Sequence, residues 1–224
     1  MNPGELIIFR GDESKYPTPA FHYFSNLDLF VVCTPWGQHS EANYVIERTA
    51  EFFEKFQTDL ELTSPVPIDT SYTSEENRIR NTLYQLNAET LERYNQKEFD
   101  WGCEILLAFE CRHQVVIGRV GQINVFHFSA GNLVQPILGS SGFNRWNSSG
   151  ERAPFPRQVL GMESSFASDI TTFSKIPSST VLFSQSPWYA HETFKPAIPD
   201  QAEETWRLNT SISQKPYWQV SLSF

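Results

Sequence analysis

The chain has 224 residues, 40% hydrophobic and 14% aromatic, which suits one folded domain with a real core and excludes a disordered tail. Its 26 acidic residues outnumber 17 basic ones for a net charge of −9, a balance that disfavours nucleic acid and anionic membrane surfaces as partners. No apolar run is long enough to span a bilayer, and Met1-Asn2-Pro3-Gly4-Glu5 lacks the basic, then apolar, pattern of a secretory signal. Cys33, Cys103 and Cys111 are odd in number, lie in apolar runs and show no zinc-ligand spacing. They read as buried free thiols, and a cytoplasmic location is the expectation.

In chain order, Leu27 to Cys33 (LDLFVVC) is a mostly apolar run, predicting a buried strand that ends at a proline-containing loop. Ser40 is placed to cap a helix in which Val45, Ile46, Thr49, Phe52, Phe53, Phe56 and Leu60 recur at helical spacing. Thr63-Ser64-Pro65-Val66-Pro67 breaks it. A second helix is predicted from Thr73, whose spacing to Glu76 is that of a capping box, with Ile79, Leu83, Leu86, Thr90 and Tyr94 along one face. Two such helices can pair and cover one sheet.

From Cys103 the period shortens. Cys103 to Cys111, Gln114 to Val120, Ile123 to Phe128 and Leu133 to Ile137 are strand-like, with Ser129-Ala130-Gly131-Asn132 as a hairpin turn, and together predict an antiparallel meander. Gly139 to Gly150 is a Gly-, Ser- and Asn-rich loop, Val181 to Ser184 a further strand, and Trp218 to Phe224 the last one. No internal repeat or interdomain linker divides the chain. A strand, two helices and then a run of strands is an α+β order, with helices packed on antiparallel sheets.

This series resembles the PP2C-type (PPM) metal-dependent serine/threonine phosphatases in their compact bacterial form, over nearly the whole chain. Phe30-Val31-Val32-Cys33-Thr34-Pro35-Trp36-Gly37-Gln38-His39 stands where that family has a strand running into Asp-Gly-Met-Gly-Gly-His. Trp101-Gly102-Cys103-Glu104 stands for Gly-Thr-Thr, and Val116 to Gln135 for a strand, Val-Gly-Asp-Ser-Arg, a strand, a Gly turn and a closing strand. Pro156 to Gly161 resembles a segment ending in Leu-Gly, Ile176 to Ser186 a strand into Ser-Asp-Gly, and the chain end an Asp-Asn followed by the final strand. The resemblance implies a PP2C-like αββα sandwich, two antiparallel β-sheets flanked by helices, as a single domain over residues 1–224. The flap at about 138–158 and the C-terminal helical segment at about 186–215 are shortened. It also implies an active site at one edge, where aspartates hold two metal ions that activate a water.

Carried over residue by residue, the resemblance puts Thr34, Gln122, Gln185 and Pro216 where the metal-binding aspartates stand. Hard dications need several oxygen ligands, mostly carboxylate, and neutral Thr and Gln oxygens are poor substitutes. The expectation is no cofactor, with Mg²⁺ and Mn²⁺ binding lost. An N-terminal Arg-x-x-Asn-Glu-Asp signature is degraded to Asp12-Glu13-Ser14, near Phe9 and Arg10, which leaves Glu13 as a vestigial acid. His39 is kept from the first motif and reads as a hydrogen-bonding residue at a helix start rather than an acid–base group.

Aromatics cluster by proline in three of the emptied segments: Trp36, then Trp188 with Tyr189, then Tyr217 with Trp218. They form either a plug that fills the old cavity or a patch that binds a partner. The function expected is a catalytically inactive pseudophosphatase, not an enzyme, serving as a protein-binding, scaffolding or regulatory module in signalling. Its expected partner is a protein, a kinase or phosphoprotein-pathway component, with no nucleic acid and no membrane. Two alternatives stand beside it: a residual metal-dependent phosphatase using Asp12 and Glu13, and a structural subunit of an oligomer or complex.

Overall fold

The computed structural model describes residues 1–3, 7–9, 17–37, 41–58, 64–129, 133–138, 156, 158–176, 179–185 and 217–223. These fall into two compact units. One contains Pro17–Gly121 and Gln158–Ile176; the other contains Asn2–Tyr16, Gln122–Arg157 and Pro177–Phe224.

In the first unit, strands β3 (Ala20–Phe24), β4 (Leu29–Gly37), β5 (Trp101–Cys111), β6 (Gln114–Val120) and β9 (Asp169–Ser174) form a five-stranded antiparallel sheet in that order. Helices α1 (Ala42–Thr58) and α2 (Ser74–Tyr94) pair with each other and pack on one of its faces. That interface is built from alternate strand residues, Leu29, Val31 and Cys33 with Cys103, Ile105 and Leu107, meeting Val45, Phe53, Phe56, Ile79, Leu83 and Leu86. The other sheet face is buried as well, at Phe30, Val32, Leu106, Ala108 and Ile117. Burial on both faces explains why β4 and β5 are unbroken apolar runs rather than alternating ones. Gly118 lets α2 approach closely, since a Cβ there would lie 2.2 Å from Ile79 Cγ2.

The second helix begins as its sequence predicts. Thr73 Oγ1 accepts from the Glu76 N–H at 3.2 Å, and Glu76 accepts in return from the Thr73 N–H at 2.9 Å. At its other end Asn95 caps the helix, and its side chain bonds the backbone of Asp100, Trp101 and Gly161. No helix among the described residues is long and apolar enough to cross a membrane.

In the second unit, β1 (Asn2–Pro3), β11 (Tyr217–Ser223), β10 (Thr180–Gln185), β7 (Asn124–Ser129) and β8 (Leu133–Leu138) form an antiparallel sheet in that order, with β2 (Ile7–Phe9) also on β11. The protein is therefore α+β with two antiparallel sheets, the class expected.

Two expectations are corrected. The strand starting near Leu29 does not end before Thr34-Pro35; it continues to Gly37. Proline fits because of where its missing N–H would point. Its partner Cys103 turns its own N–H and C=O away from β4, to Leu160. Pro35 therefore directs its nitrogen to the other side, where pairing with β3 has ended at Ala20–Cys33. Nor is there a single meander. β6 pairs with β5 and β9, whereas β7 pairs with β8 and β10, so the chain changes sheets between Val120 and Asn124. Gly121 makes the exit with φ +102°, a backbone conformation that favours glycine.

Candidate functional site

Alternation along β4 puts Thr34 and Trp36 on the sheet face away from the helices, and both are buried. Across the ladder Thr34 is paired with Glu104, a residue only 1% exposed. Trp36, two residues further along β4 and 8% exposed, reaches diagonally and donates its indole N–H to Glu104 Oε2 at 2.9 Å. Gly121 closes the other side: a Cβ on it would lie 2.5–2.7 Å from Glu104 Cγ, Oε1 and Cβ. The sequence reading counted Glu13 as the acid left near the old site and passed over Glu104. A buried acid opposite Thr34 is visible only once β4 and β5 are aligned.

In the second unit four sequence-selected positions fall at one end of the sheet. Gln185, at the end of β10, is the register partner of Trp218 near the start of β11, and Trp218 is fully buried. Asn124, opposite Ser184, begins β7, and the buried Gln122 precedes it by two residues. Tyr217 is placed opposite Phe9. Asp12, Glu13, His39, Ser40, Trp188, Tyr189 and Pro216 lie outside the described residues, as do most of the flap and the whole 186–215 segment.

The donors beside Thr34 in the first unit do not fit a pair of divalent ions. Thr34 offers a hydroxyl, and one oxygen of the carboxylate paired with it, Glu104, accepts from an indole; in the second unit Gln122 is a neutral amide. Among the described residues no three His, Cys, Asp or Glu side chains stand close enough to share a metal ion.

The thiols differ in setting: Cys33 and Cys103 are buried, Cys111 only partly. The Cys103 thiol is pushed well up by its hydrogen bond with Cys33, then by burial, which favours a neutral, unreactive form.

No protein-family model matches the sequence, and no curated protein matches it. Solved structures do. PppA, described as a key regulatory component of T6SS in Pseudomonas aeruginosa, superposes with TM-score 0.63 at 12% identity, over 100% of this chain and 97% of that one. The PPM Ser-Thr phosphatase MsPP from Mycobacterium smegmatis, in complex with cacodylate, gives 0.60 at 10% identity, over 99% and 97%. The catalytic domain of the serine threonine protein phosphatase PstP with 2 manganese ions gives 0.56 at 11% identity, over 99% and 97%. The chain therefore has the fold of the PP2C/PPM phosphatases. At such identities the likeness extends to the fold alone.

Proposed function

We propose that this protein is a PP2C-like pseudophosphatase, a non-catalytic module that binds a protein partner in a phosphorylation-linked pathway. The observation that carries this reading is the state of the first-motif position. Thr34 is buried where the resemblance calls for a metal-binding aspartate, and the neighbouring carboxylate of Glu104 is engaged by Trp36. Gln122 and Gln185 extend the same change from acid to amide. Four carboxylates in one pocket repel each other unless cations neutralise them, so a chain without the ions favours neutral replacements. On this reading Trp36 and Trp218 are each packing residues of their own unit, and partner recognition uses another surface.

The test is turnover. Purified protein is assayed on an aryl phosphate and on phosphoserine and phosphothreonine peptides with millimolar Mn²⁺ or Mg²⁺. The expected rate is that of the metal-containing buffer alone. Metal-dependent turnover abolished by Glu104→Gln would instead establish a rebuilt enzyme.

A further inference from the structure

In the first unit a cavity of about 300 Å³ opens where the end of α1, the start of α2 and the end of β5 meet. Its walls include Phe56, Gln57, Glu75, Arg78, Phe109 and Cys111. That volume is at the low end for a small-molecule site, roughly 300–1,000 Å³. Arg78, only 8% exposed, has no ion pair among the described residues. Its Nε donates to the Phe53 carbonyl at 2.7 Å and its Nη2 to Gln57 Oε1 at 3.0 Å, with the guanidinium 3.5 Å over the Phe53 ring. Nη1 makes no hydrogen bond among the described residues.

Glu75 stands three residues earlier on the same helix, the spacing at which opposite charges ordinarily pair. Here they do not. The Glu75 carboxylate accepts instead from Ser74 Oγ at 2.9 Å and from Cys111 Sγ at 3.7 Å. Each charge is held by its own neutral partners, and the two remain apart at the wall of one cavity. A mostly buried cation without a counter-ion is costly, and burial pushes the Arg78 pKa down to about 10. Burial also opposes ionisation of Glu75, but hydrogen bonds from its own N–H, Ser74 and Cys111 outweigh it and keep the carboxyl below its ordinary value. Both groups are charged at neutral pH.

We propose that this cavity binds a small zwitterion, an α-amino acid with an apolar side chain. Its carboxylate would take Arg78 Nη1, its ammonium the Glu75 carboxylate, and its side chain the Phe56 and Phe109 walls. A simple anion fits less well, because Glu75 repels it; a simple cation meets Arg78.

The experiment is a heteronuclear NMR titration of the full chain with L-leucine, with isocaproate, which lacks the ammonium, and with isoamylamine, which lacks the carboxylate. Saturable shifts at the Gln57, Arg78 and Cys111 amides are expected for leucine, with each analogue weaker by about tenfold, the loss of one ion pair. Glu75→Gln, on the first turn of α2, should weaken leucine by about the same factor and leave isocaproate no weaker. Absence of saturable shifts with leucine overturns the proposal, as does equal binding of isocaproate or an unchanged leucine affinity in the variant. The comparison of the three compounds on the unaltered protein stands even where a variant fails to fold, and it does not depend on the phosphatase reading.

Discussion

The indole N–H of Trp36 donates to Glu104 Oε2 across the β4–β5 ladder, joining residues 68 positions apart inside a buried face of the sheet. The bond serves both partners. It satisfies the indole N–H of a buried tryptophan, and it supplies a donor to a carboxylate held away from water.

Trp36→Ala is expected to destabilise the protein by about 3–5 kcal/mol, the range for deleting a large buried aromatic. Trp36→Phe keeps most of the packing but leaves Glu104 one donor short, at about 1–3 kcal/mol. Urea unfolding of the two variants checks the order. An alanine variant as stable as the parent would mean that Trp36 is not packed and would favour its use as a binding patch.

Gly121→Ala meets two obstacles: a left-handed φ of +102° and overlap with the Glu104 side chain. A loss of about 1–3 kcal/mol is expected. Thermal melting should show the loss reduced in part in the double variant with Glu104→Ala, since the overlap with Cγ and Oε1 is relieved while that with Cβ and the backbone strain remain. Strict additivity of the two changes would show that Gly121 and Glu104 do not touch.

Much of this architecture is legible in the sequence, but unevenly. The second helix is fixed locally by its Thr73–Glu76 cap and the spacing of Ile79, Leu83 and Leu86, so its start and buried face follow from neighbouring residues. The central strands announce themselves as apolar runs because both faces are covered. The edge strands β3 and β9 do not: AFHYF and DITTFS are half-exposed and lack a continuous apolar signature. The change of sheet after Val120 depends on long-range pairing, which short polar breaks between strands do not encode. The same applies to the site. Thr34, a neutral residue where the resemblance calls for an aspartate, is visible in one motif, whereas the acid opposite it comes from a strand far along the chain.

Asn81 lies fully buried in α2, and among the described residues neither its amide nitrogen nor its oxygen has a hydrogen-bond partner. Asn81→Leu, close in shape and without the polar atoms, should be neutral or stabilising by up to about 1 kcal/mol. A rise or no change in the urea midpoint is expected. A fall of about 2 kcal/mol would show that the amide is bonded in solution, through a trapped water.

Glu89 on α2 accepts from Arg48 on α1 at 2.7 and 2.9 Å and from the Tyr44 hydroxyl. Hydrogen bonds from Arg48, offset in part by burial, hold the Glu89 carboxyl below the ordinary 4.5. A carboxyl whose folded value is depressed stabilises fully above its unfolded value and less as pH falls through the folded one. The clasp should therefore contribute about 1 kcal/mol at neutral pH, lost on acidification below about 4.5. Unfolding of Glu89→Gln across pH should show a smaller loss on the acid side than the parent; identical acid limbs would mean that the helices are not clasped there.

The central claim, a PP2C-like fold that has given up its ions, is tested most directly by calorimetric titration of the purified full chain with Mn²⁺. No saturable heat at millimolar metal is the expected result. A stoichiometric isotherm abolished by Glu104→Gln would contradict it, because it would mean that a carboxylate opposite Thr34 had rebuilt the centre.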